Sequence, residues 1–141
     1  MPERDKVLEV VRGWVAKAEN DLKTAVHALK LGADCPTDTV CFHAQQTVEK
    51  YLKALLVLNG IDFPKTHDVE ELMGLIPPSV RPEVSEDEQG RLTDYATVMR
   101  YPGDYEEVSL TEARRAVSVA RRVRRAALKL LPKDVLGERA D

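Results

Sequence analysis

Residues 40–60 read VCFHAQQTVEKYLKALLVLNG, and this stretch decides the fold. Val40, Ala44, Val48, Tyr51, Leu52, Leu55, Leu56 and Leu58 recur at spacings of three and four, which draws one apolar stripe on a helix. His43, Gln45, Gln46, Glu49, Lys50 and Lys53 form its polar set, and Glu49 precedes Lys53 in the favourable i,i+4 order. Thr37 or Asp38 is predicted to cap this helix, and Gly60 to stop it after Asn59. A segment this long and periodic is predicted to be the centre of the core.

Upstream, Val7, Val11, Trp14, Val15, Ala18, Leu22, Ala25, Val26 and Leu29 draw a second stripe, over a helix expected from Arg4 to Leu31. Lys17, Glu19, Asn20, Asp21 and Lys23 fall on its other side and read as a solvated face. Gly32 is the expected stop. Downstream, Ile61–Lys65 reads as an extended connector, followed by a short helix from Thr66-His67-Asp68 to about Leu75. Pro77 and Pro78 end it. Residues 79–90 read as a loop rich in acids, and a helix is expected over roughly Asp87–Arg100. Ser109-Leu110-Thr111-Glu112 has capping-box spacing and opens a last helix to about Leu131. Its stripe is Ala113, Ala116, Val117, Ala120, Val123, Ala127 and Leu130.

No alternating strand pattern is present. The fold class is therefore all-α, an antiparallel up-and-down bundle of four main helices plus a short one. One domain is expected over residues 1–133, with 134–141 a frayed tail. Cys35 and Cys41 are too few for a disulfide framework or a zinc site, and the expected compartment is the cytoplasm. No apolar run approaches the roughly 20 residues that span a membrane. The three histidines lack metal-ligand spacing, and no glycine-rich phosphate loop occurs, so no metal and no cofactor are predicted.

Arg100-Tyr101-Pro102-Gly103-Asp104-Tyr105 interrupts the helical chain. Pro102 cannot continue a helix, and Gly103 permits a tight turn. The corner has two readings. Arg100 grips a phosphate with its planar fork while a tyrosine stacks on a base. Alternatively the tyrosines plug the bundle and Arg100 pairs with Asp104 or Glu106. His67 beside Asp68 is likewise either a ligand-facing group or a ring tied to a backbone or carboxylate partner. Residues 111–133 hold eight basic side chains against the single acid Glu112, a net of +7. That helix either tracks an RNA backbone or is neutralised by acids such as Glu83–Glu88 and Glu106–Glu107, within the fold or across a dimer.

Four blocks in order, WVAKAENDLKTA, CFHAQQTVEKYLKALLVLNGIDFPKTHDVEEL, YATVMRYPGDY and a long Ala- and Arg-rich basic helix, together resemble a HEPN domain. The resemblance runs from Trp14 to about Leu131. It implies a helical bundle that forms a homodimer and acts beside a minimal nucleotidyltransferase as a toxin–antitoxin-like pair. It also implies binding of nucleotide or RNA through Arg100, Tyr101, Asp104 and Tyr105, with Tyr101 or Tyr105 as acceptors of adenylylation. Active relatives are metal-independent endoribonucleases with an Arg, a spacer of about four to six residues and a His. Arg100 matches the Arg, but the positions where the His should fall are Tyr105, Glu106 and Glu107. The group suited to proton transfer near neutral pH is absent, so a binding or regulatory module is expected rather than an enzyme. The alternatives are a ribonuclease toxin using Arg100 with Tyr105 or Glu106, and a purely structural interaction protein.

Overall fold

A computed structural model describes residues 2–96 and 108–140. Five α-helices carry the fold, and there are no strands among the described residues: α1 (Pro2–Leu29), α2 (Thr37–Leu58), α3 (Val69–Leu75), α4 (Glu86–Tyr95) and α5 (Leu110–Leu130). Short 3-10 turns follow α1, α3 and α5, at Gly32–Asp34, Pro78–Val80 and Lys133–Ala140. Four longer helices and one short one match the architecture expected from periodicity.

The chain stops where its residues require it. Gly32 and Gly60 adopt φ of +60° and +69°, a conformation that disfavours a Cβ, directly after α1 and α2. Asp68 caps α3 by accepting from the Glu71 backbone N–H at 3.1 Å. Ser109 caps α5 by accepting from Glu112 N–H at 3.0 Å. Neither Thr37 nor Asp38 caps α2. Thr37 is its first residue and its hydroxyl donates to Val108 O at 2.6 Å, because Pro36 already occupies the cap position. The helix expected from roughly Asp87 begins one residue earlier, inside the acid-rich segment. Ser85 and Glu88 form a reciprocal capping box, so α4 opens at Glu86.

Helix α2 lies at the centre, packed chiefly against α1 and α5 and also touching α3 and α4. Tyr51, Leu52, Leu55 and Leu56 are fully buried on it. Each such side chain contributes roughly 1.5–3 kcal/mol relative to exposure. Val11, Val15, Ala18, Leu22 and Ala25 of α1 and Ala113, Ala116, Val117, Ala120, Val123 and Ala127 of α5 complete the core. Leu130, predicted to be buried, is 40% exposed, and Leu131 takes the core position as the helix ends. The domain also extends past Lys133: Val135 is buried, and Asp134 pairs with Arg12 of α1 at 2.6 Å. Residues 134 and 135 are thus tied to the bundle rather than frayed, since Val135 has an apolar surface to cover.

A central helix buries polar residues as well as apolar ones. Gln45, Glu49 and Lys53 are buried on α2, and Glu19 is buried on α1, although the sequence places them on polar faces. Every buried side-chain nitrogen and oxygen among the described residues has a hydrogen-bond partner.

Candidate functional site

The residues singled out in sequence, Arg100, Tyr101, Asp104, Tyr105 and Glu106, lie outside the described residues, as does Met99. The two ends of that segment are described. Helix α4 delivers the chain to Tyr95 and Ala96, and Val108 and Ser109 lead it into α5. The ends are fastened to the bundle. The Tyr95 hydroxyl donates to Glu112 Oε2 on the first turn of α5, and Thr37 of α2 holds the Val108 carbonyl.

Beneath this clasp lies Cys41, fully buried on α2 and in contact with Tyr95. Burial, with the Glu112 charge, pushes its thiol up to about 12. Burial and the bond to Glu112 also raise the Tyr95 phenol well above its ordinary value. Both groups therefore stay protonated near neutral pH. Neither is an activated nucleophile or a general base.

Between α4 and α5 is a cleft of about 480 Å³, open to solvent. Three guanidinium groups line it, those of Arg91, Arg115 and Arg122, together with Tyr95, Glu112 and Ser118. Arg122 is held by Glu88 through two bonds of 2.9 and 3.2 Å, and it also donates to Glu83 O. The Glu88 carboxyl lies below its usual range, chiefly because Arg122 donates to it. Arg91 pairs with Asp87 at 3.0 Å, both side chains being half or more exposed. Arg115 is exposed and has no hydrogen-bond or ion-pair partner among the described residues. The cleft thus offers one guanidinium, that of Arg115, without an acidic partner among the described residues, while Asp87, Glu88 and Glu112 line it as well and balance its three arginines.

Three ion-pair clusters lie elsewhere on α1 and α2. Glu19 accepts from the Tyr51 hydroxyl at 2.5 Å and takes two bonds from Arg124. Asp21 meets His43 Nδ1 at 2.8 Å and Lys50 Nζ at 2.5 Å. Glu49 is met by Gln45, Lys53 and His67 at 2.8–2.9 Å. Burial pushes the Glu49 carboxyl up, and those three donors outweigh it, leaving the group below its ordinary range. His67 is thus the ring tied to a carboxylate, although its partner sits on α2 rather than next to it in sequence. Lys53 also lies over the rings of Trp14 and Phe63, with its nitrogen 5.3 and 5.9 Å from their centroids. These clusters fasten α1, α2, α5 and the turn before α3 to one another. Thr47, one turn after His43 on α2, donates to the His43 carbonyl at 2.9 Å, so it is not poised for attack.

No group of three or more His, Cys, Asp or Glu among the described residues is arranged to hold a metal ion. No helix of the described residues is long and apolar enough to cross a membrane.

The sequence profile of the HEPN domain matches residues 11–131. Two solved structures share the fold. TT1696 from Thermus thermophilus is 27% identical, with a TM-score of 0.68 over 86% of this chain and 98% of its own. ST0689, described as an archaeal HEPN homologue, is 25% identical, with a TM-score of 0.66 over 85% of this chain and 96% of its own. No curated protein matches the chain at a significant level.

Proposed function

This chain belongs to the HEPN family, and from that membership we propose that it is a binding or regulatory module that holds a phosphate group, carried by a nucleotide or by RNA, without cutting the nucleic acid. The phosphate lies at the corner of residues 100–105, with Arg100 as its guanidinium ligand and Tyr101 or Tyr105 stacking on the base or accepting an AMP group. The module works as a homodimer beside a minimal nucleotidyltransferase.

One observation carries this reading. The cleft between α4 and α5 opens beside the two fastened ends of that segment, and it contributes the guanidinium of Arg115, which has no partner among the described residues, and the anchored one of Arg122. Asp87, Glu88 and Glu112 balance the three arginines of the cleft, so Arg115, which has no ion-pair partner among the described residues, is the guanidinium open to an anion.

The test is a titration of AMP, ATP and a labelled RNA into wild-type protein and Arg100→Ala, in EDTA. Binding weakened at least tenfold in the variant supports the proposal. Equal binding by the two proteins overturns it.

A further inference from the structure

The last helix carries more positive charge than the bundle uses. Residues 110–130 hold seven cations and one acid, a net of +6 in a chain whose overall charge is −3. Apart from Arg115, which lines the cleft, the structure separates these cations into two sets. Arg122 and Arg124 point to α4 and α1, where Glu88 and Glu19 neutralise them. Arg114, Arg121, Arg125 and Lys129 are exposed and have no acidic partner among the described residues.

At 3.6 residues per turn these four fall within about 80° of the helix circumference, opposite the buried row of Ala113, Ala116, Ala120, Val123 and Ala127. They span about 22 Å at 1.5 Å per residue. Ser118, also exposed, sits in the same row and adds a hydroxyl donor.

A solvated helix face normally mixes signs, with i,i+4 pairs of opposite charge. This face does the reverse. Arg121 and Arg125, and Arg125 and Lys129, are like-charged i,i+4 neighbours, an unfavourable arrangement in the free protein. The helix dipole offsets it only in the last turn, where Lys129 lies, and opposes Arg114 in the second turn. A linear row of cations on an otherwise acidic molecule is complementary to a chain of phosphates, and the net negative charge elsewhere keeps such a chain on this face.

We infer that the outer face of α5, through Arg114, Arg121, Arg125 and Lys129, is a track for the phosphodiester backbone of a single nucleic-acid strand. The track ends near Ser109, where the chain leaves the proposed phosphate corner and enters α5. This inference deepens that proposal by making its ligand a polynucleotide rather than a free nucleotide. The two rest on different residues and are tested separately.

The experiment measures binding of a labelled 20-nucleotide single-stranded RNA, and of DNA of the same sequence, between 50 and 200 mM salt. The proteins are wild type, the triple variant Arg121→Gln/Arg125→Gln/Lys129→Gln, and Arg100→Ala. The four track cations contribute about −2.8 to the log–log salt slope, so wild-type affinity falls by roughly 50-fold or more over this range. The triple variant lacks three of these contacts, and its slope is shallower than that of wild type by about 2.1. AMP binding and the elution volume in size-exclusion chromatography stay as in wild type. A preference for RNA over DNA places 2′-hydroxyl contacts on the track, and equal binding assigns it to the backbone alone; both support it. An unchanged slope in the triple variant overturns the track, as does a wild-type protein that binds neither strand. A triple variant with altered elution volume also overturns it, because the face then belongs to a second copy of the chain. Loss of AMP binding in Arg100→Ala with a salt slope reduced by no more than about 0.7 separates the corner from the track.

Discussion

Arg124 of α5 grips Glu19 of α1 with two nitrogens, Nε to Oε2 at 2.7 Å and Nη2 to Oε1 at 3.0 Å, across 105 residues of sequence. Tyr51 of α2 donates to the same carboxylate at 2.5 Å. One acid therefore joins the first, second and last helices at their mutual contact. Burial and the bond to Glu19 raise the Tyr51 phenol far above its ordinary value, and the bond to Glu19 raises Arg124.

Glu19→Ala leaves a phenol and a partly buried guanidinium without their acceptor, and it is expected to cost about 2–4 kcal/mol. Tyr51→Phe removes one donor and keeps the Arg124 pair, so its cost is expected at about 1–2 kcal/mol. Urea unfolding of both variants gives the order. Equal destabilisation would show that the carboxylate does not join all three helices.

Acid is expected to loosen the turn that carries His67. The Glu49 and Glu88 carboxyls sit below their ordinary value of 4.5 in the folded protein. A depressed folded pKa means that the unfolded chain binds protons first, so stability is full above about pH 4.5 and declines as pH falls through the folded values. Each group contributes up to about 1.4 kcal/mol per pH unit in that window. Glu49→Gln should be less stable than wild type at pH 7 and should lose less on going from pH 5 to pH 3. An identical acid limb in the two proteins would exclude Glu49 as its source.

Arg115 lines the cleft and has no partner to lose among the described residues. Arg115→Gln is expected to change unfolding free energy by less than about 0.5 kcal/mol. Nucleotide affinity should fall about tenfold, equivalent to roughly 1.4 kcal/mol. Calorimetric titration with AMP and a thermal melt of the same sample check both halves. A fall in stability with unchanged affinity would make Arg115 a structural residue.

Much of the fold is legible in the chain because helix signals are local. Gly32, Gly60, Asp68 and Ser109 act within a few residues of their own position, and each ends or begins a helix where its chemistry indicates. The box of Ser85 and Glu88 is equally local, yet it lies inside a run of acids that resembles a solvated loop. Burial of Glu19, Gln45, Glu49 and Lys53 is not legible. A 3.6-residue period assigns each helix a single apolar face, whereas α2 is surrounded by neighbours and must bury polar side chains too. Their partners, such as Arg124 for Glu19 or His67 for Glu49, come from elements whose approach no local spacing encodes. The candidate site divides in the same way. The motif around Arg100 can be read as a string of residues, while the cleft with Arg91, Arg115 and Arg122 exists only once α4 and α5 are packed together.

The most direct measurement mixes purified protein with a labelled RNA in EDTA and reads the sample twice, by fluorescence anisotropy and on a denaturing gel, beside Arg100→Ala. The proposed function predicts that anisotropy rises with wild-type protein, that the variant binds at least tenfold more weakly, and that the RNA remains intact. RNA cut by the wild type and spared by the variant would contradict it, showing that Arg100 works with Tyr105 or Glu106 as a ribonuclease.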